Sequence, residues 1–330
     1  MSAADLLSPA PASLSAPEAG EPAVLGVTRS VTGRRWNWRE GGQASHTDRM
    51  GMAIAQQTGL PEIVGRMLAL RRIAPEEVAT YLTPTLRALM PDPSTCADMD
   101  TAASRLATAI RNSETVGLFG DYDVDGACST ALMTDFLRGM GCTVITHIPD
   151  RMTEGYGPNT PAIESMMDRG ASLIVCLDCG TAAVDVLEAA SARGDVIILD
   201  HHQVQGALPR VLATVNPNRP DCASGLRTIC AAAVTFLTVV ATVRILRGEG
   251  WFDSRPEPQL MDSLDLVALA TVCDVMPLSG LNRAFVTQGL KIMARRQRTG
   301  LSALLDAAGA RDPLSAFTCG FALGPRINAG

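Results

Sequence analysis

Three aspartates alternate with other residues in Gly120-Asp121-Tyr122-Asp123-Val124-Asp125-Gly126, so three carboxylates are expected to share one short loop. Two more acidic groups follow apolar runs elsewhere, in Asp178-Cys179-Gly180 and Asp200-His201-His202. Carboxylates crowded within a few ångströms cannot all ionise unless cations neutralise them. Divalent metal is the economical solution. Hard oxygen donors suit Mg²⁺ or Mn²⁺, and added imidazole shifts the preference towards Mn²⁺. Taken alone, the first motif would also serve as a solvated turn, since Asp-Gly pairs make turns. Two further acidic ends tip the reading to a metal site.

The paired histidines need separate roles. Successive residues in an extended segment point to opposite sides, so both cannot ligate one ion unless a turn intervenes. His201 is assigned to the metal and His202 to a phosphate or supporting contact.

These residues need a scaffold that gathers them. Short apolar runs at 116–119, 143–148, 173–177, 196–199 and 213–215 read as strands. Stretches of helical length lie between the first four, at 127–140, 160–169 and 182–193. That alternation predicts an α/β domain, a parallel β-sheet flanked by helices on both faces. In such sheets ligands bind outside the carboxyl ends of the strands, where the acidic and imidazole groups stand. Their position at strand ends rather than in the core predicts that Asp125 and Asp178 are dispensable for folding. Beyond residue 229 the pattern turns helical, through 246, then 260–270 and 284–293.

Composition bounds the rest. The chain has 330 residues, 47% hydrophobic, with 28 basic and 34 acidic side chains and a net charge of −6. A generally basic nucleic-acid coat protein is excluded by that balance, although a local basic groove is not. Lys291 is the single lysine, which removes Walker-type phosphate loops, Schiff-base and pyridoxal chemistry. No G-x-G-x-x-G follows the first strand, which argues against a dinucleotide cofactor. Nine cysteines without a secretory signal read as reduced thiols of a cytoplasmic protein. Cys176 and Cys179 form a C-x-x-C with no second pair nearby, so they are assigned to strand packing. Arg295, Arg296 and Arg298 are assigned to a solvated helix face, with a phosphate contact as the alternative. The apolar stretch 228–243 falls short of the ~20 residues that a bilayer span needs and reads as a buried core helix, with no membrane partner.

The domain organisation expected is a flexible Ala/Ser/Pro-rich tail and lead-in over 1–46 and a helical preface over 47–98. The catalytic α/β domain follows over 99–282, with a connecting helix and the start of a second region over 283–330.

With these motifs in place, the chain resembles the DHH phosphoesterase superfamily and, within it, the RecJ-type single-strand-specific exonucleases. The resemblance rests on Gly120–Gly126, Leu177–Gly180 and Asp200–His202. Further support comes from Pro149-Asp-Arg-Met-Thr-Glu-Gly-Tyr-Gly157, Val215-Asn-Pro-Asn218, Ala270-Thr-Val-Cys-Asp-Val-Met-Pro-Leu278 and Gly324-Pro-Arg-Ile-Asn-Ala-Gly330. It implies a metal-dependent hydrolase that degrades single-stranded DNA 5′→3′ in repair and recombination. Single-strand-binding protein and a helicase are the partners it implies. The metal ligands it implies are Asp123, Asp125, Asp178, His201 and Asp274, with His202 near the scissile phosphate. Asp121, Asp200 and Asn216 would support those ligands, and Arg151, Tyr156, His202 and Arg326 would contact substrate. Four ligand carboxylates balance two divalent ions, leaving a neutral cluster able to accept an anionic phosphodiester.

Other readings remain. The same chemistry would serve short oligonucleotides, cyclic dinucleotides or pyrophosphate, and some relatives are non-catalytic scaffolds. The family pattern continues beyond residue 330, into the rest of a second domain and an oligonucleotide-binding barrel. With aromatics at 4%, grip on long single strands is therefore expected to be weak and salt-sensitive, and cleavage slow and distributive.

Overall fold

The computed structural model describes residues 23–37 and 44–329. Most of the expected flexible tail lies outside the described residues. The chain divides into two compact units, one ending at Leu82 and the other beginning at Thr83. That boundary falls inside the segment 47–98 expected as one helical preface, so residues 83–98 go with the second unit.

In the first unit, α1 (Ala44–Thr58), α2 (Glu62–Leu70) and α3 (Val78–Leu82) surround a small core of Ile54, Leu68 and Val78. Glycine lets α1 and α2 approach closely: a Cβ at Gly65 would sit 2.2 Å from the Gly51 carbonyl oxygen.

The second unit opens with α4 (Leu86–Leu89) and α5 (Met99–Arg111). Then come β1 (Thr115–Gly120), α6 (Val124–Gly139), β2 (Thr143–His147), α7 (Thr160–Asp168) and β3 (Leu173–Leu177). α8 (Val184–Ser191), β4 (Asp195–Leu199) and β5 (Ala213–Val215) complete the alternation. Five strands pair in the order β2-β1-β3-β4-β5, every pair parallel. The expected α/β architecture is present. The strand order reverses between β1 and β3, and such a switch point opens a crevice at the carboxyl ends.

Side-chain alternation explains why both faces are covered. Leu173, Val175 and Leu177 of β3 enter one core with α5, α6 and the later helices, whereas Ile174 and Cys176 enter the other with Ile163 and Leu187 of α7 and α8.

The helical part comprises α9 (Ala231–Gly248), α10 (Leu264–Cys273), α11 (Gly280–Met293) and α12 (Thr299–Ala307). A π-helical turn (Thr318–Leu323) leads into α13 (Gly324–Asn328). α9 has the length and apolarity of a membrane span, yet 72% of that stretch is buried inside the protein. Two of its buried hydroxyls are satisfied within the helix: Thr238 and Thr242 donate to the carbonyls of Val234 and Thr238. α11 starts at Gly280, four residues before the expected start, because a helical glycine, costing about 1 kcal/mol, hides the beginning from sequence.

Candidate metal centre

Strand register builds the site. Gly120 pairs with Leu177, Leu177 with Leu199 and Leu199 with Val215. The residue after each is therefore level with its neighbours, and the ladder runs one step further. Asp121 N–H donates to Leu177 O, Asp178 N–H to Leu199 O and Asp200 N–H to Val215 O. Asp121, Asp178, Asp200 and Asn216 thus stand in a row across four adjacent strands, all buried. Spacing between neighbours in such a row is about 4.8 Å.

The first motif is not one loop. Asp121 ends a strand, Asp123 caps α6 by accepting the Gly126 N–H at 3.0 Å, and Asp125 already lies in the first helical turn. α6 begins three residues earlier than expected because that cap closes it. Two glycines permit the tight passage. A Cβ at Gly126 would lie 2.4 Å from the Asp121 carbonyl oxygen, and one at Gly120 would lie 1.9 Å from Thr130 Oγ1.

Asp125 is no surface ligand either. It is fully buried, and its two oxygens accept the N–H groups of Ala231 at 2.6 Å and Ala232 at 2.8 Å. The carboxylate therefore caps α9, the longest core helix described, where anionic charge at a helix start is favourable. The expectation that Asp125 is dispensable for folding does not fit this burial.

Asp178 adopts left-handed backbone, with φ of 63°. That conformation is uncommon outside glycine, with Asn and Asp the tolerated exceptions. Here it directs Oδ1 to within 3.3 Å of His201 Nε2. The same ring nitrogen is 3.6 Å from Asp125 Oδ2 and 3.5 Å from Asp274 Oδ2, the latter at the end of α10. Asp178 Oδ1 and Asp274 Oδ2 are buried and have no hydrogen-bond partner. Buried oxygens without partners are costly and demand an explanation. A cation between them supplies one.

Donor atoms fall into three sets, each within 4.8 Å of one another: Asp121, Asp123 and Asp178; Asp125, His201 and Asp274; Asp178, His201 and His202. Oxygen donors with one or two imidazoles fit Mn²⁺ or Mg²⁺. Asp121, expected as support, has a carboxylate oxygen close enough to those of Asp123 and Asp178 to share an ion with them. Both histidines lie on the same side of the site, their ring centroids 4.8 Å apart, because the chain bends at His202. Their roles still differ. His202 Nδ1 is 2.7 Å from Asp200 Oδ1, which turns Nε2 towards Tyr156 Oη at 3.4 Å.

The electrostatics carry the imprint of crowding. Burial, then the charges of Asp125 and Asp123, pushes Asp178 well above the usual carboxylate range. Burial lifts Asp125 to about 7 against the pull of its two backbone donors. Asp274 rises to about 6 through burial and Asp125, and Asp121 to about 6 through burial despite the Tyr122 N–H. Burial also drives His201 down, towards the neutral form that binds metal. Asp200 behaves oppositely: burial works to raise it, but His202 and Thr181 outweigh that and hold it well below its ordinary value. The same hydrogen bond raises His202.

Asn216 braces the turn by donating to Thr181 Oγ1 at 3.1 Å and His202 O at 2.9 Å. Arg151 lies over the Tyr122 ring at 4.3 Å, and Tyr122 meets Tyr156 edge-on, which in turn meets His202. Three of the expected substrate residues, Arg151, Tyr156 and His202, are therefore joined through Tyr122, which sequence reading passed over as a spacer between aspartates. Arg326 stands outside this chain of rings, its guanidinium donating to Ala322 O at 2.7 Å.

Two other motifs resolve structurally. Cys176 and Cys179 are buried, and burial pushes both thiols up, so they pack as expected. The arginine run is not a solvated face throughout: Arg296 pairs with Asp306, and Arg298 with Asp265 and Asp135.

Residues 115–271, which hold most of these donors, match the DHH family, N-terminal domain. The single-stranded-DNA-specific exonuclease RecJ of Salmonella typhimurium (strain LT2) is 38% identical over 277 residues, 82% of this chain and 47% of the relative. This chain therefore spans about half the length of that relative. A crystal structure of exonuclease RecJ bound to manganese matches with a TM-score of 0.62 and 31% identity, over 71% of this chain and 57% of that one. RecJ of Thermus thermophilus in complex with Mn²⁺ matches with a TM-score of 0.69 and 27% identity, over 85% and 38% of the two chains.

Proposed function

The chain belongs to the DHH family, and from that premise we propose that it is a divalent-metal-dependent phosphodiesterase that degrades single-stranded DNA from its 5′ end. One observation carries the reading: Asp178 Oδ1 and Asp274 Oδ2, buried and without hydrogen-bond partners, converge on the imidazole nitrogen of His201. Asp121, Asp123 and Asp178 would hold one ion, and Asp125, His201 and Asp274 the other, with Asp178 between the two sets. Bound Mn²⁺ or Mg²⁺ supplies Lewis acidity and a more acidic coordinated water.

The chain's own residues do the rest. His202, oriented by Asp200 and kept protonated to higher pH, offers an N–H to a non-bridging phosphate oxygen as charge builds there. Arg151 adds a second cation, held in place over Tyr122. Tyr156 gives an exposed aromatic surface for a terminal base to stack on, beside the ring that meets the phosphate. Arg326 is the reading's further phosphate contact.

End-labelled single-stranded oligonucleotides of increasing length test the proposal. Mn²⁺-dependent release of mononucleotides from the 5′ end, abolished by chelator, is the expected result. Turnover confined to dinucleotides or pyrophosphate would reassign the substrate, and undiminished turnover in excess chelator would remove the metal chemistry.

A further inference from the structure

Val124 is the first residue of α6 and lies between two of the donor carboxylates. Its N–H is one of those a helix start leaves without an intrahelical acceptor. The cap supplied by Asp123 serves Gly126, not Val124. The Val124 N–H instead reaches Asn328 Oδ1, 3.1 Å away and 204 positions along the chain. Asn328 closes α13, and the segment before it is fixed beside Asp274, another carboxylate of the same cluster. Cys273, the neighbour of Asp274, places its thiol 3.4 Å from Cys319 O. A Cβ at Gly324 would come 2.6 Å from that sulfur.

We infer that Asn328 is a positioning residue for the metal-binding turn, an inference that rests on the metal reading of the carboxylate cluster. Its amide touches neither donor carboxylate. It holds the peptide that joins Asp123 to Val124, and the aim of both Asp123 and Asp125 depends on that peptide. Val124 is 2% exposed beneath the exposed Asn328, so without that side chain its N–H exchanges a fixed acceptor for mobile water.

The full chain is compared with Asn328→Ala and Asn328→Asp, the latter keeping an oxygen acceptor. Hydrogen exchange without metal and Mn²⁺ titration by calorimetry are the two readouts. In Asn328→Ala, exchange should quicken over 121–127 while the core helices keep their protection, and Mn²⁺ affinity should fall about two- to tenfold. Asn328→Asp should restore both. Unchanged exchange at 121–127 in Asn328→Ala would overturn the inference. So would a loss that Asn328→Asp fails to restore, or a loss of protection spread evenly over the unit. If the unaltered chain itself bound no Mn²⁺, the metal reading would fail, and the exchange comparison would still decide whether Asn328 holds the turn.

Discussion

Asp200 and His202 are locked together, with Oδ1 of the first 2.7 Å from Nδ1 of the second and the two backbone N–H groups that follow Asp200 directed to the same oxygen. One carboxylate thus sets both the turn and the ring that leaves it. Asp200→Asn should keep the fold but lose the charge that favours the His202 imidazolium. Turnover is expected to fall about 10- to 100-fold, with Mn²⁺ affinity retained because His201, Asp125 and Asp274 are untouched. Steady-state kinetics beside a calorimetric titration separate the two effects, and a parallel loss of metal would contradict the division of labour.

Asp178→Asn should produce opposite changes in stability and activity. The substitution removes a buried carboxyl whose ionisation burial and four other carboxylates oppose, while keeping a residue type that accepts φ of 63°. Without metal, urea unfolding should show a gain on the order of 1–3 kcal/mol. Mn²⁺-dependent hydrolysis should disappear. Asp178→Ala should be equally inactive with a smaller gain, since alanine is less tolerant of that backbone.

Metal-free stability should fall as pH rises. Asp125 is lifted to about 7, and Asp121 and Asp274 to about 6, each by burial first. Carboxyls near 3.9 in the unfolded chain release protons that the folded chain retains. Their stabilising effect is complete below about pH 4 and lost as pH climbs through 6 to 7. Thermal melts in chelator should therefore show a decreasing Tm from about pH 5 to about pH 7.5. With saturating Mn²⁺ the trend should reverse, because protons compete with metal for the same oxygens. A chelated protein that gained stability over that window would refute the folded-state protonation.

Gly126→Ala tests the close passage at the start of α6. Its Cβ would meet the Asp121 carbonyl oxygen at 2.4 Å, against nothing within 4 Å for Gly139 at the other end of the same helix. Overpacking of backbone should cost about 1–3 kcal/mol and weaken Mn²⁺ binding. Gly139→Ala should be neutral or stabilising by up to about 1 kcal/mol. Denaturant titrations of the pair, with and without metal, provide the comparison.

Much of this architecture could be read from residue order, because the strands are continuous apolar runs and their ends carry the polar groups. The runs at 173–177 and 213–215 matched β3 and β5 to the residue. What escaped depended on three-dimensional closure. That His201 and His202 share a side required knowing that the chain bends, an effect of Asp200 accepting two consecutive N–H groups. Asp121 comes level with Asp178 because β1 and β3 align their ends, a register that no local pattern encodes. Asn328 and Val124 are too far apart in sequence for spacing to relate them. Arg298 read as solvated since its partners Asp135 and Asp265 lie on other helices. The unit boundary at Leu82 was hidden because helical spacing continues across it.

The cap that Asp125 places on α9 has a consequence for how damaged copies of this protein would present themselves. A variant lacking that carboxylate loses an acceptor for two N–H groups at the head of the longest core helix described. It should vanish from soluble extract before its chemistry is ever assayed. Asp274, at the far end of α10 and partly open to solvent, leaves no such stranded donors. In a random collection of inactive clones, the two aspartates would therefore sort into different bins, one scored by abundance and one by turnover. A survey that kept only well-expressed clones would find Asp274 and overlook Asp125.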